Sequence, residues 1–147
     1  MKILFAAEEH LDALIPLFDG YRVFYKQKSD PEGAKRFLRE RLALKEATIL
    51  LALKDDETPI GFIQLFPIFS SVTMERMYLL NDLFVAKEER CKGVGQALLN
   101  AAKELCVKKN YKGLALQTEV DNPAQKLYEY LGWVRDPDLH YFWKARY

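Results

Sequence analysis

At 147 residues, half of them apolar or aromatic, the chain has enough material to bury one sizeable core. Charged side chains make up 29% and nearly cancel, leaving a formal net charge of +1, so no global field selects a nucleic acid or a membrane surface. Cys91, Cys106, His10 and His140 show no metal-ligand spacing, and no apolar run approaches the roughly 20 residues of a membrane span.

The chain opens Met1-Lys2-Ile3-Leu4-Phe5 and turns polar at Glu8-Glu9-His10 before a long apolar region forms. That is no secretory leader, and a soluble cytoplasmic protein is expected. Residues 2–6 predict a short strand. Over 9–28, Leu11, Leu14, Ile15, Phe18, Tyr21 and Tyr25 recur at helical spacing. Pro16 falls inside that stretch and is expected to kink or split it. Ser29-Asp30-Pro31-Glu32 predicts a new helix start, with Ser29 or Asp30 capping and Pro31 in the first turn, and this helix runs to about residue 43.

Residues 48–54 and 60–69 are rich in β-branched and aromatic side chains, and Asp55-Asp56-Glu57-Thr58-Pro59 between them is a turn signal. A hairpin follows. The apolar run 76–85 ends in Asn81-Asp82-Leu83-Phe84-Val85. After Gly93 and Gly95, the residues Val94, Ala97, Leu98, Ala101, Ala102, Leu105 and Cys106 fall on one face of a long helix. Residues 114–119 predict a strand, and 123–131 a short helix with Ala124, Leu127, Tyr128 and Leu131 on one side and Gly132 as its stop. Strands over 133–135 and 141–145 are expected to finish the chain. No repeat or linker interrupts it, so 1–147 reads as one domain. Its class is α/β with a mixed sheet, a hairpin preceding a central βαβ unit.

The chemistry is concentrated where a strand runs through a basic, glycine-containing loop into the long helix. The first N–H groups of a helix have no internal partners, and the helix dipole makes that end electropositive. Gly93 and Gly95 let the backbone approach phosphate oxygens, and Arg90 and Lys92 add positive charge. The competing reading is a solvated turn. The loop has neither the order of a P-loop nor the three-glycine dinucleotide pattern.

Arg90-Cys91-Lys92-Gly93-Val94-Gly95 resembles the Q/R-x-x-G-x-G/A loop of the GNAT acetyltransferase superfamily, which wraps the pyrophosphate of acetyl-CoA. Asp82-Leu83-Phe84-Val85 resembles that family's splayed fourth strand. Ala124-Gln125-Lys126-Leu127-Tyr128-Glu129-Tyr130-Leu131-Gly132-Trp133 resembles its A-x-x-LYxxxGF/W segment. Asp82-Leu83-Phe84-Val85 with Tyr21-Arg22-Val23-Phe24-Tyr25 looks most like the branch of polyamine, histone and D-amino-acid acetyltransferases.

The resemblance implies a mixed, mostly antiparallel sheet with helices on both faces, an acetyl-CoA cofactor, a small-molecule amine substrate and a homodimer. The C-terminal Tyr141-Phe142-Trp143 is suited to pairing across chains. It makes Leu83, Phe84 and Val85 main-chain contacts of the pantetheine arm, and sets Arg90, Cys91, Lys92, Gly93, Val94, Gly95 and Gln96 around the pyrophosphate. Tyr128 matches the tyrosine that protonates the departing thiolate, although it also shares an apolar helix face with Ala124 and Leu127.

Relatives place an asparagine seven residues before that tyrosine. Here Asp121 holds that position and Asn122 stands six before. Either the loop is one residue shorter or the contact is lost, and both residues also suit helix caps. Polyamine-acetylating relatives often carry a glutamate where this chain has Asn81. Asp82 and Glu119, expected near the ends of adjacent strands, remain as general-base candidates. Tyr21, Arg22, Phe24 and Tyr25 either line the acceptor pocket or form the buried face of a helix. A non-catalytic acetyl-CoA-binding module and a protein lysine acetyltransferase are the competing functions.

Overall fold

Five strands lie side by side in chain order in the first of the protein's two compact units, Met1–Gln117. They are β1 (Lys2–Phe5), β2 (Thr48–Leu53), β3 (Pro59–Ser70), β4 (Glu75–Val85) and β5 (Leu114–Ala115). The computed structural model describes residues 1–146. Strands β1 to β4 pair antiparallel; β5 pairs parallel to β4 because helix α3 (Val94–Lys108) carries the chain back across the sheet. The expected hairpin is present: the Lys54 amide bonds the Thr58 carbonyl at 2.8 Å, and Asp56 accepts from the Thr58 amide at 3.1 Å.

Alternating side chains send the sheet's two faces to different helices. Ile49, Leu51, Leu53 and Phe62 join Leu11, Leu14, Leu17 and Phe18 of α1 (Leu11–Phe24) and Ala34 and Leu38 of α2 (Pro31–Ala43) in one core. Each large apolar side chain fully buried there stabilises by about 1.5–3 kcal/mol. Gly61, on the other face, lies under Val94 and Leu98 of α3. A Cβ at Gly61 would sit 2.9 Å from the Phe84 carbonyl oxygen and 3.3 Å from both side chains, so the glycine sets how closely α3 approaches.

Pro16 does not split α1. It is exposed on the outer side of the helix, while Leu14, Leu17 and Phe18 are buried around it. Their packing outweighs the roughly 3 kcal/mol that an interior proline costs. The helix ends at Phe24, short of residue 28, because Lys26 turns left-handed (φ 66). The Lys26 amide then bonds the Val23 carbonyl and the Gln27 amide the Arg22 carbonyl, at 2.9 and 3.0 Å, which satisfies the last turn. Asp30 caps α2 through the Gly33 amide (2.9 Å). Ser29 instead donates its hydroxyl to Asp19 at 2.6 Å.

Three strand expectations are corrected. The strand expected over 114–119 stops at Ala115. Neither 133–135 nor 141–145 is a strand among the described residues. The aromatic and β-branched residues there supply propensity, but a strand forms only with a ladder partner, and Val134, Tyr141, Phe142 and Trp143 are exposed.

The second unit, Thr118–Tyr147, holds one regular element among its described residues, helix α4 (Gln125–Tyr130). Gly132 ends it in the left-handed conformation (φ 98), where the Trp133 amide bonds the Tyr128 carbonyl at 2.9 Å. No helix among the described residues is long and apolar enough to cross a membrane.

Candidate functional site

In the β3–β4 ladder Gln64 stands opposite Asp82 and Leu65 opposite Leu80, so Asn81 is an extra residue on β4. This bulge bends β4 and withdraws Asn81 from the ladder. Its carbonyl finds the Tyr21 hydroxyl on α1, which donates to it at 3.2 Å. On the opposite edge, β5 pairs with β4 only at Tyr78 and Leu79. Beyond Leu79 the strand that carries Leu83, Phe84 and Val85 runs on without pairing to β5, which ends at Ala115.

The bulge also fixes Asp82. The side chain is 1% exposed and belongs to an otherwise neutral cluster. Gln64 donates from Nε2 to Oδ2 at 2.5 Å, and Asn81 from Nδ2 to Oδ1 at 2.6 Å. Burial pushes the Asp82 carboxyl above its ordinary range, and hydrogen bonds from Asn81, Gln64 and Tyr21 offset part of that rise. Gln64, itself 0% exposed, escaped the sequence reading. The signal was a lone amide in the apolar run Ile60-Gly61-Phe62-Ile63-Gln64-Leu65. Its Oε1 is buried without a hydrogen-bond partner.

After β4 a short 3-10 turn, Lys87–Glu89, leads into Arg90-Cys91-Lys92-Gly93. Cys91 (φ 61) and Gly93 (φ 87) both take the left-handed conformation. No side chain caps α3, and the first bond back to its cap runs from the Ala97 amide to the Gly93 carbonyl at 3.0 Å. The amides of Val94, Gly95 and Gln96 therefore open the helix as an electropositive end. A Cβ at Gly93 would meet nothing within 4 Å, so the glycine serves backbone conformation and leaves the loop open to a ligand. These residues fit a diphosphate.

The two cations of the loop differ. Arg90 donates from Nε to the Val85 carbonyl at 2.9 Å, and its guanidinium lies 5.4 Å from the Phe84 ring centre and 5.7 Å from that of Phe24. Lys92 pairs with Glu89 at 3.3 Å, and Lys54 holds the other Glu89 oxygen at 2.5 Å. Glu89 thus restrains Lys92, a relationship the sequence did not signal.

On α1, Tyr21 is half-buried against Phe62 and Tyr25, with ring centres 6.1 and 5.0 Å away. Tyr25 and Phe24 are exposed. Arg22 donates from Nη1 to the Lys28 carbonyl at 3.0 Å, which ties it into the turn after α1. The aromatic segment is therefore neither wholly core nor wholly open. Tyr21 faces the bulge, whereas Phe24 and Tyr25 present ring surface to solvent.

Within the second unit, Asn122 uses its side-chain oxygen to cap the Ala124 amide at 2.9 Å. Gln125 reaches back to the Val120 and Asn122 carbonyls at 2.7 and 3.2 Å, fixing the loop before α4. Asp121 is exposed. Tyr128 is half-buried, with the Trp133 ring centre 6.1 Å away. Glu119 is exposed and lies past the end of β5, not on a strand as expected.

Known proteins share this fold. The model of the acetyltransferase (GNAT) family matches residues 12–133. The chain is 48% identical over 143 residues to an uncharacterized N-acetyltransferase, YhfO, of Bacillus subtilis (strain 168), covering 96% of this chain and 95% of that protein. It is 35% identical over 104 residues to a probable acetyltransferase of Haemophilus influenzae, covering 71% of each. A crystal structure of a probable acetyltransferase superposes with a TM-score of 0.93 at 42% identity, over 100% of this chain and 99% of that one. The chain belongs to the GNAT family and is an acetyltransferase, and that family draws its acetyl group from acetyl-CoA.

Proposed function

We propose that the protein moves an acetyl group from acetyl-CoA to the primary amine of a small molecule, a polyamine or an amino acid, by direct attack on the thioester. The uncapped start of α3 behind left-handed Cys91 and Gly93, following a bulged strand that carries Asp82, is the observation that supports this reading. Acetyl-CoA supplies the activated acetyl group. The amides of Val94, Gly95 and Gln96, with Arg90, Cys91, Lys92 and Gly93, hold the pyrophosphate. Main-chain groups of Leu83, Phe84 and Val85 orient the pantetheine arm, and donors aimed at developing charge there are the most effective catalytic contacts.

Asp82 serves as the base. A primary ammonium, with pKa near about 10.4 for a lysine-like amine, must lose a proton before it attacks, and a carboxyl raised by burial accepts that proton more readily near neutral pH. Tyr128 gives a proton to the departing sulfur, a role that rests on the family resemblance. Asn122 remains the residue for a pantetheine contact, although its oxygen already caps α4. Glu119 is the second candidate base.

Tyr21 and Tyr25 flank the cationic acceptor, and Arg22 offers the nitrogens that the turn does not use. The resemblance of Asp82-Leu83-Phe84-Val85 supports the polyamine, histone and D-amino-acid branch. We assign residues 1–147 to one N-acetyltransferase domain, acting in the cytoplasm as a homodimer. The family match supports the single domain by running through both compact units.

Mixing the protein with acetyl-CoA and a panel of polyamines and amino acids, while following free thiol, tests the reading. Amine-dependent thiol release is expected. Release with lysine peptides alone would move the acceptor to protein.

A further inference from the structure

Asp82 is too deeply buried to touch an acceptor. At 1% exposure, with both carboxylate oxygens engaged by Gln64 and Asn81, it needs an intermediary. Tyr21 is placed for that role. Its one hydroxyl proton goes to the Asn81 carbonyl at the bulge (3.2 Å), one residue from Asp82, and the Asp82 carboxylate is the alternative acceptor for that proton. Its ring is half-buried beside exposed Phe24 and Tyr25, so it reaches from the buried carboxyl toward open aromatic surface. Among the described residues no charged side chain bears on Asp82: α1 contributes Tyr21, β3 contributes Gln64 and β4 contributes Asn81, all neutral.

We infer that Tyr21 is a catalytic proton relay between the acceptor amine and Asp82, with Gln64 as the residue that positions the carboxylate. The inference rests on the reading of Asp82 as the base. The acceptor ammonium gives one proton to the Tyr21 oxygen while the phenolic proton of Tyr21 turns from the Asn81 carbonyl and passes to Asp82. Tyr21 ends as a phenol, Asp82 as a neutral carboxylic acid, and the amine keeps the lone pair that forms the new N–C bond. The proton on Asp82 returns to solvent by the reverse path once the product has left. Gln64 and Asn81 hold the two carboxylate oxygens, so the carboxylate cannot rotate away from the tyrosine.

The test compares Tyr21→Phe, Asp82→Asn and the double variant, with acetyl-CoA affinity and thermal unfolding as controls on folding. Phe keeps the ring packing and removes only the hydroxyl. Each single variant is expected to lower kcat by about 100-fold with little change in KM. The double variant is expected to fall no further, because both act on one proton path. The acid-side limb of the kcat/KM profile, set by Asp82, should vanish in Tyr21→Phe.

Full activity and an unchanged acid limb in Tyr21→Phe, beside a crippled Asp82→Asn, would overturn the relay and leave Asp82 as base. Losses that multiply in the double variant would overturn it as well. Full activity in Asp82→Asn would overturn both assignments. Should Tyr21→Phe fail to fold, a proton inventory on the unaltered enzyme decides: a curved dependence on deuterium fraction is expected for two protons moving together, and a straight line contradicts the relay.

Discussion

Arg90 ties the glycine-containing loop before α3 to the end of β4 by donating to the Val85 carbonyl at 2.9 Å. The same guanidinium lies near the rings of Phe84 and Phe24, so one side chain links the loop, β4 and helix α1. Arg90→Ala is expected to weaken coenzyme A binding by about 10- to 100-fold, the scale of a lost charged hydrogen bond. Calorimetry against the unaltered protein checks this. Arg90→Lys keeps the charge but loses the fork geometry, and should recover only part of the affinity.

Gly61 controls the seating of α3 from beneath. In Gly61→Ala the new methyl group meets the Phe84 carbonyl oxygen at 2.9 Å, and that backbone group cannot swing aside as a side chain would. The substitution should destabilise the protein by about 1–3 kcal/mol in denaturant unfolding, as overpacked cores do. Because Val94 opens α3, coenzyme A affinity should fall with it.

Most of the frame was legible in the residues. The hairpin of β2 and β3 was marked by β-branched and aromatic runs on either side of a turn signal, β4 by its apolar run, and α3 by apolar residues at helical spacing. The bulge at Asn81 was not legible, because a one-residue slip leaves no compositional mark in a run as apolar as β4. Gln64 was passed over for a related reason: its partner, Asp82, is 18 residues away and meets it only through the register of β3 against β4. Aromatic tails such as Tyr141-Phe142-Trp143 mislead in the other direction, since propensity is local and pairing is not.

Burial of Asp82 makes stability depend on pH with a definite sign. Its folded pKa lies above its ordinary value of 3.8, so the folded state holds this proton more tightly than the unfolded chain. The contribution is fully favourable below that ordinary value. It is lost as pH rises from there through the raised folded pKa, beyond which it levels off. Asp82→Asn should flatten this part of the stability-against-pH curve, as urea unfolding at several pH values will show.

Tyr128→Phe separates chemistry from binding. If Tyr128 protonates the leaving sulfur, kcat should drop by about 100-fold while coenzyme A affinity stays unchanged. An unchanged kcat would assign the side chain to packing with Trp133.

The exposed Tyr141, Phe142 and Trp143 underlie the proposed homodimer. Light scattering should give twice the chain mass, and replacing the three aromatics with serine should return it to the monomer. A monomeric mass for the unaltered protein would refute the dimer.

The proposed activity depends above all on backbone amides at the head of α3 gripping a diphosphate. Titrating coenzyme A into isotope-labelled protein, and following every backbone amide by NMR, tests this most directly. The amides of residues 91–96 should shift first and furthest, saturating together with the calorimetric heat. Saturable shifts confined to other segments, or no shift at all, would contradict it.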